Sequence, residues 1–364
     1  MNNTHIDSKV KFIDALRGIA ILLVVMVHTM QHNPIKMPDF FVFVLSLCSR
    51  GVQLFFITSA ITLFLSYNRR SKSEQNIKIN FYLRRFFRIA PMYYLAICYF
   101  LFQDGFGPRY WLGDQTNITE VNIFSNFTFL NGCNPYWITS LVPGGWSITV
   151  EMMFYLFIPF IIRYVQSINQ AFNFIIFTLL FKLILQEILL LNPFNVLERL
   201  WREYLYFYFP SQLPVFAFGI FIYFLIFKNS KITEINLNKW LILLILIVLQ
   251  IGFNKDILFL NHIVFTVILS VFVYFLSKGK LNFFINKISL FLGKISYSLY
   301  FVHFAILFWL QHYNLLSFSK NYITNYFCIL MFVLILSSFI SLIFHKIIEI
   351  NFQLLGNKFI NKLK

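Results

Sequence analysis

Two ionisable side chains near the N-terminus share one face of a predicted helix. In the apolar stretch LRGIAILLVVMVH, residues 16–28, His28 follows Arg17 by eleven residues. Eleven residues make about three turns of an α-helix, so both side chains face the same way, about 16 Å apart along the axis. Asp14 stands within ion-pairing distance of Arg17 on that face. The spacing favours a polar interior path; the alternatives are that Arg17 reaches the lipid headgroups and that His28 lies at a lipid boundary.

A serine and a carboxylate form a second candidate pair. In WSITVEMMFYLFIP, Ser147 and Glu151 are four residues apart and share a helix face. A carboxylate in an apolar run is costly without a partner, and His28 is one candidate. A carboxylate beside a histidine selects one imidazole tautomer and makes an oriented general base. The alternative is a structural glutamate bonded to a nearby donor.

Three arginines cluster at the start of another apolar run. In YLRRFFRIAPMYY, Arg84 and Arg88 share a helix face, and Arg85 lies between them. Guanidinium groups hold phosphate oxygens in pairs, so the cluster predicts a phosphate site. Binding of anionic lipid is the alternative.

Further polar side chains interrupt other apolar stretches. Tyr297 and His303 lie inside GKISYSLYFVHFAI, and Gln53 and Ser59 lie inside RGVQLFFITSAITLF. Such groups can line a site, but serines in membrane helices commonly bond a backbone carbonyl or a neighbouring helix. A lone histidine is commonly a hydrogen-bonded core residue. Glu349, within HKIIEINFQLLGNKF, is predicted to lie on an amphipathic surface tail.

The elements that must position these residues are membrane-spanning helices. The 364 residues are 59% hydrophobic and 12% charged, whereas soluble domains average about 25% charged residues. This composition excludes an ordinary water-soluble domain and predicts an all-α, polytopic transmembrane helical bundle. About 20 apolar residues cross a bilayer. The predicted spans are 12–31, 43–66, 89–103, 146–165, 171–191, 210–227, 240–253, 257–277, 295–312 and 322–345.

The basic residues predict the orientation. With the N-terminus in the cytoplasm, most of the 30 lysines and arginines fall in cytoplasmic segments, as the positive-inside rule requires. Both termini are therefore predicted to be cytoplasmic. Residues 1–346 are predicted to form a membrane-embedded domain, and residues 347–364 a short basic cytoplasmic tail. The polar segment 104–145 is predicted to be an ordered outer loop.

Two other classes of partner are disfavoured. The net charge of +16 reflects membrane orientation better than nucleic-acid binding, so no nucleic-acid partner is predicted. The four cysteines form no CxxC pair and no disulfide-like spacing, and no metal site is predicted.

Six stretches, in this order along nearly the whole chain, together resemble the acyltransferase-3 family of integral membrane acyltransferases, including polysaccharide O-acetyltransferases. They are FIDALRGIAILLVVMVH, RGVQLFFITSA, RRFFRIAPMYY, WSITVEMMFYL, GKISYSLYFVH and IIEINF. The sequence departs from the family pattern at three positions. Gln53 stands where an acidic residue is common, Ala60 where glycine is usual, and Asn351 where proline is usual.

The resemblance implies a role for each candidate residue. Arg17 and His28 match the family's Arg-x10-His motif, with His28 as the catalytic base, and Glu151 matches the carboxylate of its Trp-Ser motif. His303 matches its late-span histidine. The acyl-CoA-binding residues are then expected to be Arg17, Arg84, Arg85 and Arg88. Contacts to the substrate or the oxyanion are expected from Ser147, Tyr297 and His303.

The resemblance also implies the reaction. An acyl group, commonly acetyl, would move from cytoplasmic acetyl-CoA or another acyl-CoA to a hydroxyl of a cell-surface polysaccharide. Lipopolysaccharide O-antigen, capsule and exopolysaccharide are the expected acceptors, and the bacterial cytoplasmic (inner) membrane is the expected location. The rival function is a transporter or flippase for a lipid-linked sugar, in which Arg17 and His28 would line the translocation path.

Overall fold

The computed structural model describes residues 3–107, 109, 117–253 and 257–362. The described residues form helices and turns, with no β-strand among them. The helices are α1 (Asn3–Gln31), α2 (Asp39–Ser46), α3 (Gly51–Arg70), α4 (Ile77–Asp104), α5 (Glu120–Phe127), α6 (Gly145–Tyr164), α7 (Ile168–Leu189), α8 (Glu198–Phe207), α9 (Phe209–Phe227), α10 (Leu237–Phe253), α11 (Ile257–Ser277), α12 (Lys287–His312), α13 (Tyr322–Phe344) and α14 (Asn351–Lys362).

Helices long and apolar enough to cross a membrane run through the described residues. Eight such helical stretches are present in this part of the chain: Lys11–Gln31, Asp39–Arg70, Ile77–Asp104, Gly145–Tyr164, Ile168–Leu189, Glu198–Phe227, Lys287–His312 and Tyr322–Lys362. Two shorter apolar helices, Leu237–Leu249 and His262–Ser277, match the remaining two predicted spans. The prediction of an all-α, polytopic membrane protein with about ten spans is therefore confirmed.

The helix ends differ from the predicted spans where charged residues continue a helix. Helix α4 begins at Ile77, well before the predicted span 89–103, because arginine lowers hydropathy but is a good helix former. The arginine cluster consequently lies inside the helix. The last helix also continues past residue 345, because a π-helical turn, His345–Ile350, joins α13 to α14.

Two compact units divide the chain. Unit 1 comprises Met1–Thr58 and Phe275–Leu354, and unit 2 comprises Ser59–Tyr274 and Leu355–Lys364. In unit 1 the backbones of α1 and α12 touch. A Cβ atom on Gly18 would lie 1.9 Å from the Ser289 carbonyl oxygen, and one on Gly293 would lie 1.9 Å from that of Asp14. Only glycine fits at both positions.

Hydrogen bonds join α13 to α1 within unit 1. The Tyr326 hydroxyl donates to the Met26 carbonyl oxygen over 3.2 Å. The Asn325 side-chain amide donates to Asn33 Oδ1 over 2.9 Å. Helix α1 is thus held by α12 through backbone contact and by α13 through hydrogen bonds.

Unit 2 is built around α9, which is buried along most of its length. A helix that is apolar on nearly all sides lies in a protein core or spans a membrane, and α9 is enclosed by its neighbours in unit 2. Phe216 of α9 stacks on Phe154 of α6 with ring centroids 3.9 Å apart. Phe221 packs edge-on against Phe172 of α7.

Candidate active site

The imidazole of His28, near the end of α1, is held by a neighbour on the same helix. His28 Nδ1 lies 2.9 Å from Gln31 Oε1. An amide oxygen only accepts hydrogen bonds, so Nδ1 carries the proton and Nε2 of the neutral ring carries the lone pair. A ring held this way can take a proton at Nε2. Gln31 was not singled out in the sequence, although its spacing from His28 is that of helix neighbours.

Helix α12 brings His303 next to His28. Their ring centroids are 5.5 Å apart, and the Phe304 ring lies 4.4 Å from His28 and 4.1 Å from His303. His303 is fully buried. Its Nδ1 lies 2.9 Å from the Leu299 carbonyl oxygen, while its Nε2 has no hydrogen-bond partner among the described residues. Two histidines singled out separately in the sequence thus form a pair.

Arg17, at the other end of the helix face that it shares with His28, makes the contact predicted for it. Arg17 Nη1 lies 3.2 Å from Asp14 Oδ1. The ion pair predicted from the spacing is present, and both residues lie on α1 with His28. Tyr297, on α12, packs its ring edge-on against Phe301 at 5.4 Å.

Glu349 differs from its predicted place on an exposed tail. It is buried, at 6% exposure, within the π-helical turn. Its Oε1 accepts hydrogen bonds from the backbone N–H of Ser298, at 3.0 Å, and from the Ser298 hydroxyl. Its Oε2 lies 2.9 Å from His345 Nδ1. The prediction of a surface tail was wrong for Glu349, because its basic neighbours in the sequence do not reveal the buried donors that surround it. The π-turn that carries it is of a kind often found at functional sites.

In unit 2, Glu151 has two hydroxyl donors. Ser59 Oγ lies 2.5 Å and Tyr155 Oη 2.6 Å from Glu151 Oε1. The predicted need for a partner is therefore met within unit 2. Ser147 lies one turn earlier on α6, and its hydroxyl donates to the Gly144 carbonyl oxygen over 2.9 Å. A pairing of Glu151 with His28 stays a prediction.

The three arginines of α4 have three different surroundings. Arg84 donates two hydrogen bonds to the Glu74 carboxylate, of 3.1 and 2.8 Å. Arg85 donates to Ser66 Oγ over 3.0 Å, and its guanidinium lies 5.7 Å from the Tyr155 ring centroid. Arg88 is half-buried and makes no hydrogen bond to the described residues of unit 2.

The Glu74 carboxylate lies between α3 and α4, outside the spanning helices. Burial by itself would raise the pKa of Glu74, but hydrogen bonds from Arg84, Arg70 and Asn80 outweigh it and lower that pKa. The carboxylate therefore stays charged and neutralises Arg84.

Arg109 clamps the two ends of the segment predicted to be an ordered loop. It donates to the carbonyl oxygens of Ser140 and Leu141 over 2.9 and 3.0 Å, and to those of Phe100 and Gly105 over 3.2 and 2.8 Å. Burial lowers the pKa of Arg109, which Asp104, 3.9 Å away, opposes. The described part of this segment is therefore tied to α4.

Together, the spanning helices and an oriented histidine inside one of them define an integral membrane protein with a candidate general base. Comparison with known proteins supplies the family. A family model described as "Acyltransferase domain" (Acyl_transf_3) matches residues 10–343, so the chain belongs to the acyltransferase-3 family, as its motifs predicted.

One relative supports the same class. The chain is 28% identical over 298 residues to a protein named "Putative acetyltransferase ORF330" from Acidianus two-tailed virus; the match covers 79% of this chain and 80% of that protein. No solved structure matches the chain at a significant level.

Proposed function

We propose that this membrane acyltransferase moves an acyl group, in particular acetyl, from acyl-CoA to a hydroxyl of a cell-surface polysaccharide. Lipopolysaccharide O-antigen, capsule and exopolysaccharide are the acceptors considered. The family supports acyl transfer, and the name of the viral relative, "Putative acetyltransferase ORF330", supports acetyl as the group transferred. The observation that carries the proposal is the Gln31–His28 contact, because it leaves His28 Nε2 able to accept a proton.

The proposed reaction uses His28 as general base. Nε2 removes the acceptor's hydroxyl proton while the oxygen attacks the thioester carbonyl carbon. The carbon–sulfur bond then breaks, the sulfur takes the proton from His28, and the products are an ester and the CoA thiol. Ser147 and Tyr297 are proposed as contacts to the substrate or oxyanion, and Glu151 as a second catalytic group.

The donor is proposed to bind through arginines. CoA carries several phosphate charges, and arginine forks suit phosphate oxygens. We assign this role to Arg17, Arg84, Arg85 and Arg88. Within the cluster, Arg88 is the best candidate to bind a CoA phosphate, because Arg84 is already paired with Glu74. The excess of basic residues in alternate segments supports a bacterial inner-membrane orientation with both termini cytoplasmic.

Replacing His28 tests the proposed reaction. In host cells, we expect His28→Ala to abolish O-acyl groups on the surface polysaccharide, measured by NMR, while the protein level in the membrane is unchanged. His312→Ala is the matched control, because His312 ends α12 with an exposed side chain. Normal acylation by the His28 variant would contradict the mechanism.

Isotope-labelled acetyl-CoA tests the reaction class. An acyltransferase places label on the polysaccharide, whereas a transporter or flippase for a lipid-linked sugar leaves its mass unchanged. Label that never reaches the polysaccharide would overturn the proposed function.

A further inference from the structure

The paired imidazoles present two proton-free nitrogens. Both Nδ1 atoms lie 2.9 Å from oxygens of their own helices, Gln31 Oε1 for His28 and the Leu299 carbonyl for His303. These oxygens only accept, so each Nδ1 carries the proton and each Nε2 of the neutral rings is an acceptor. Because Nδ1 faces the ring's own helix, the Nε2 edge faces away from it.

A single hydroxyl cannot donate a hydrogen bond to the Nε2 atoms of both His28 and His303. In the proposed reaction, His28 Nε2 receives the proton of the hydroxyl that is acylated. A hydroxyl has one proton, so it cannot also donate to His303. Yet His303 is fully buried, its Nε2 has no donor among the described residues, and a buried acceptor without a donor is unfavourable. The unfilled position lies next to the proposed base, since the ring centroids are 5.5 Å apart.

We propose that His303 Nε2 accepts a hydrogen bond from a second donor on the acceptor, an O–H or N–H on the carbon adjacent to the acylated hydroxyl. This inference rests on the proposed function and names its acceptor class: a vicinal diol or an acylamino alcohol within a sugar ring. The 5.5 Å between the ring centroids is short enough for the two rings to bind neighbouring substituents of one sugar. His303 is therefore a substrate-contacting, specificity-determining residue, and in this tautomer it is not an oxyanion donor.

Three substitutions at His303 test the contact. His303→Phe keeps a ring but removes the acceptor. His303→Gln places an amide oxygen near the position of Nε2, whereas His303→Asn reaches only the position of Nδ1. Full-length protein in lipid nanodiscs would be assayed with labelled acetyl-CoA and chemically deacylated host polysaccharide.

We expect the Phe and Asn variants to lose at least about tenfold in kcat/KM for the polysaccharide, since a site built to bind a donor discriminates strongly when that bond is lost. The KM for acetyl-CoA should not change, and Gln should retain more activity than Asn. If the Phe variant fails to accumulate, the comparison of the Gln variant with the Asn variant tests the contact. Unimpaired Phe or Asn variants, or a loss confined to the acetyl-CoA KM, would overturn the inference.

Periodate treatment of the polysaccharide distinguishes the two sources of the donor. Periodate cleaves vicinal diols and spares hydroxyls beside an acylamino group. Lost acceptance indicates the diol; retained acceptance, with NMR placing the acyl group beside an N-acyl carbon, indicates the acylamino alcohol. An acyl group flanked only by carbons without a donor would refute the inference. A wild type that transfers no label would instead refute the proposed function, and the inference with it.

Discussion

Gln31 Oε1 lies 2.9 Å from His28 Nδ1, so a neutral amide of the same helix orients the candidate base. A carboxylate in this place would fix the tautomer and also stabilise the imidazolium. An amide supplies only the first effect, and Gln31 does so from the exposed last residue of α1.

Removing this amide should slow the reaction without unfolding the protein. We expect Gln31→Leu to lower kcat on the order of tenfold, less than the 10²–10⁴-fold commonly associated with a general base. Gln31→Glu keeps the acceptor oxygen and should be more active than the Leu variant. Steady-state kinetics with labelled acetyl-CoA measures both. A Leu variant with full kcat would show that Gln31 does not orient His28.

The glycine contact between α1 and α12 predicts a loss of stability. A Cβ at Gly18 or Gly293 would meet backbone atoms on both helices, which cannot move aside as a side chain can. We expect Gly18→Ala and Gly293→Ala each to destabilise unit 1 by about 1–3 kcal/mol, the usual cost of overpacking. Gly107→Ala is the control, because nothing lies within 4 Å of its added Cβ. Thermal unfolding in detergent measures the difference; equal melting of all three variants would contradict the packing.

Glu349 predicts a graded series of substitutions. Glu349→Ala removes an acceptor from the Ser298 N–H, the Ser298 hydroxyl and His345 at once. A buried donor left without an acceptor costs about 1–3 kcal/mol, so we expect this variant to melt lowest. Glu349→Gln, which keeps one oxygen, and Ser298→Ala should lie between it and the wild type. Glu198→Ala, which removes only a solvent-exposed ion pair with Arg202, should change the melting temperature little. A Glu349→Ala variant that behaves like it would rule out the interaction.

The Glu74–Arg84 pair predicts a pH dependence. The pKa of Glu74 is lower in the folded protein than its ordinary value of 4.5. Its charge therefore stabilises the fold above that ordinary value, and the contribution is lost as the pH falls through the lowered, folded-state pKa. We expect Glu74→Gln to melt below the wild type at neutral pH, with the difference shrinking as the pH falls below 4.5. A difference that stays constant over that range would exclude the pair as its origin.

The arginines of α4 should separate into binding and structural roles. We expect Arg88→Ala to raise the KM for acetyl-CoA, with partial recovery in Arg88→Lys, because Arg88 has no carboxylate partner among the described residues of unit 2. Arg84→Ala should mainly reduce stability, and combining it with Glu74→Ala should add little, because both remove the same pair. Equal KM effects from Arg84 and Arg88 would point to a single phosphate site.

Local spacing predicted what lies within one helix. The Arg17–Asp14 pair and the shared face of Ser147 and Glu151 follow from 3.6 residues per turn, and apolar run length predicted the spanning helices. Family motifs indicated His28 and His303 separately. Their contact depends on how α12 packs on α1, which helical periodicity within either segment does not define.

Partners distant in the chain escaped prediction. Ser59 bonds Glu151 across 92 positions, and Ser298 bonds Glu349 across 51. Hydropathy detects burial in lipid but not which polar groups meet inside a unit. Hydropathy also placed the start of the α4 span too late in the chain. The arginines there lower the hydropathy but do not interrupt helical hydrogen bonding.

The π-helical turn at His345–Ile350 determines how this stretch responds to a change in the number of its residues. A π-turn accommodates one residue more than an α-turn, and each residue rotates a helix by about 100°. Deleting a single residue of this turn would let it relax to an ordinary α-helix, and the helix that follows would not turn by the roughly 100° that the same deletion causes in an α-helix. The turn can therefore absorb a one-residue deletion that an unbroken α-helix could not, whereas replacing Glu349 removes its bonds to Ser298 and His345.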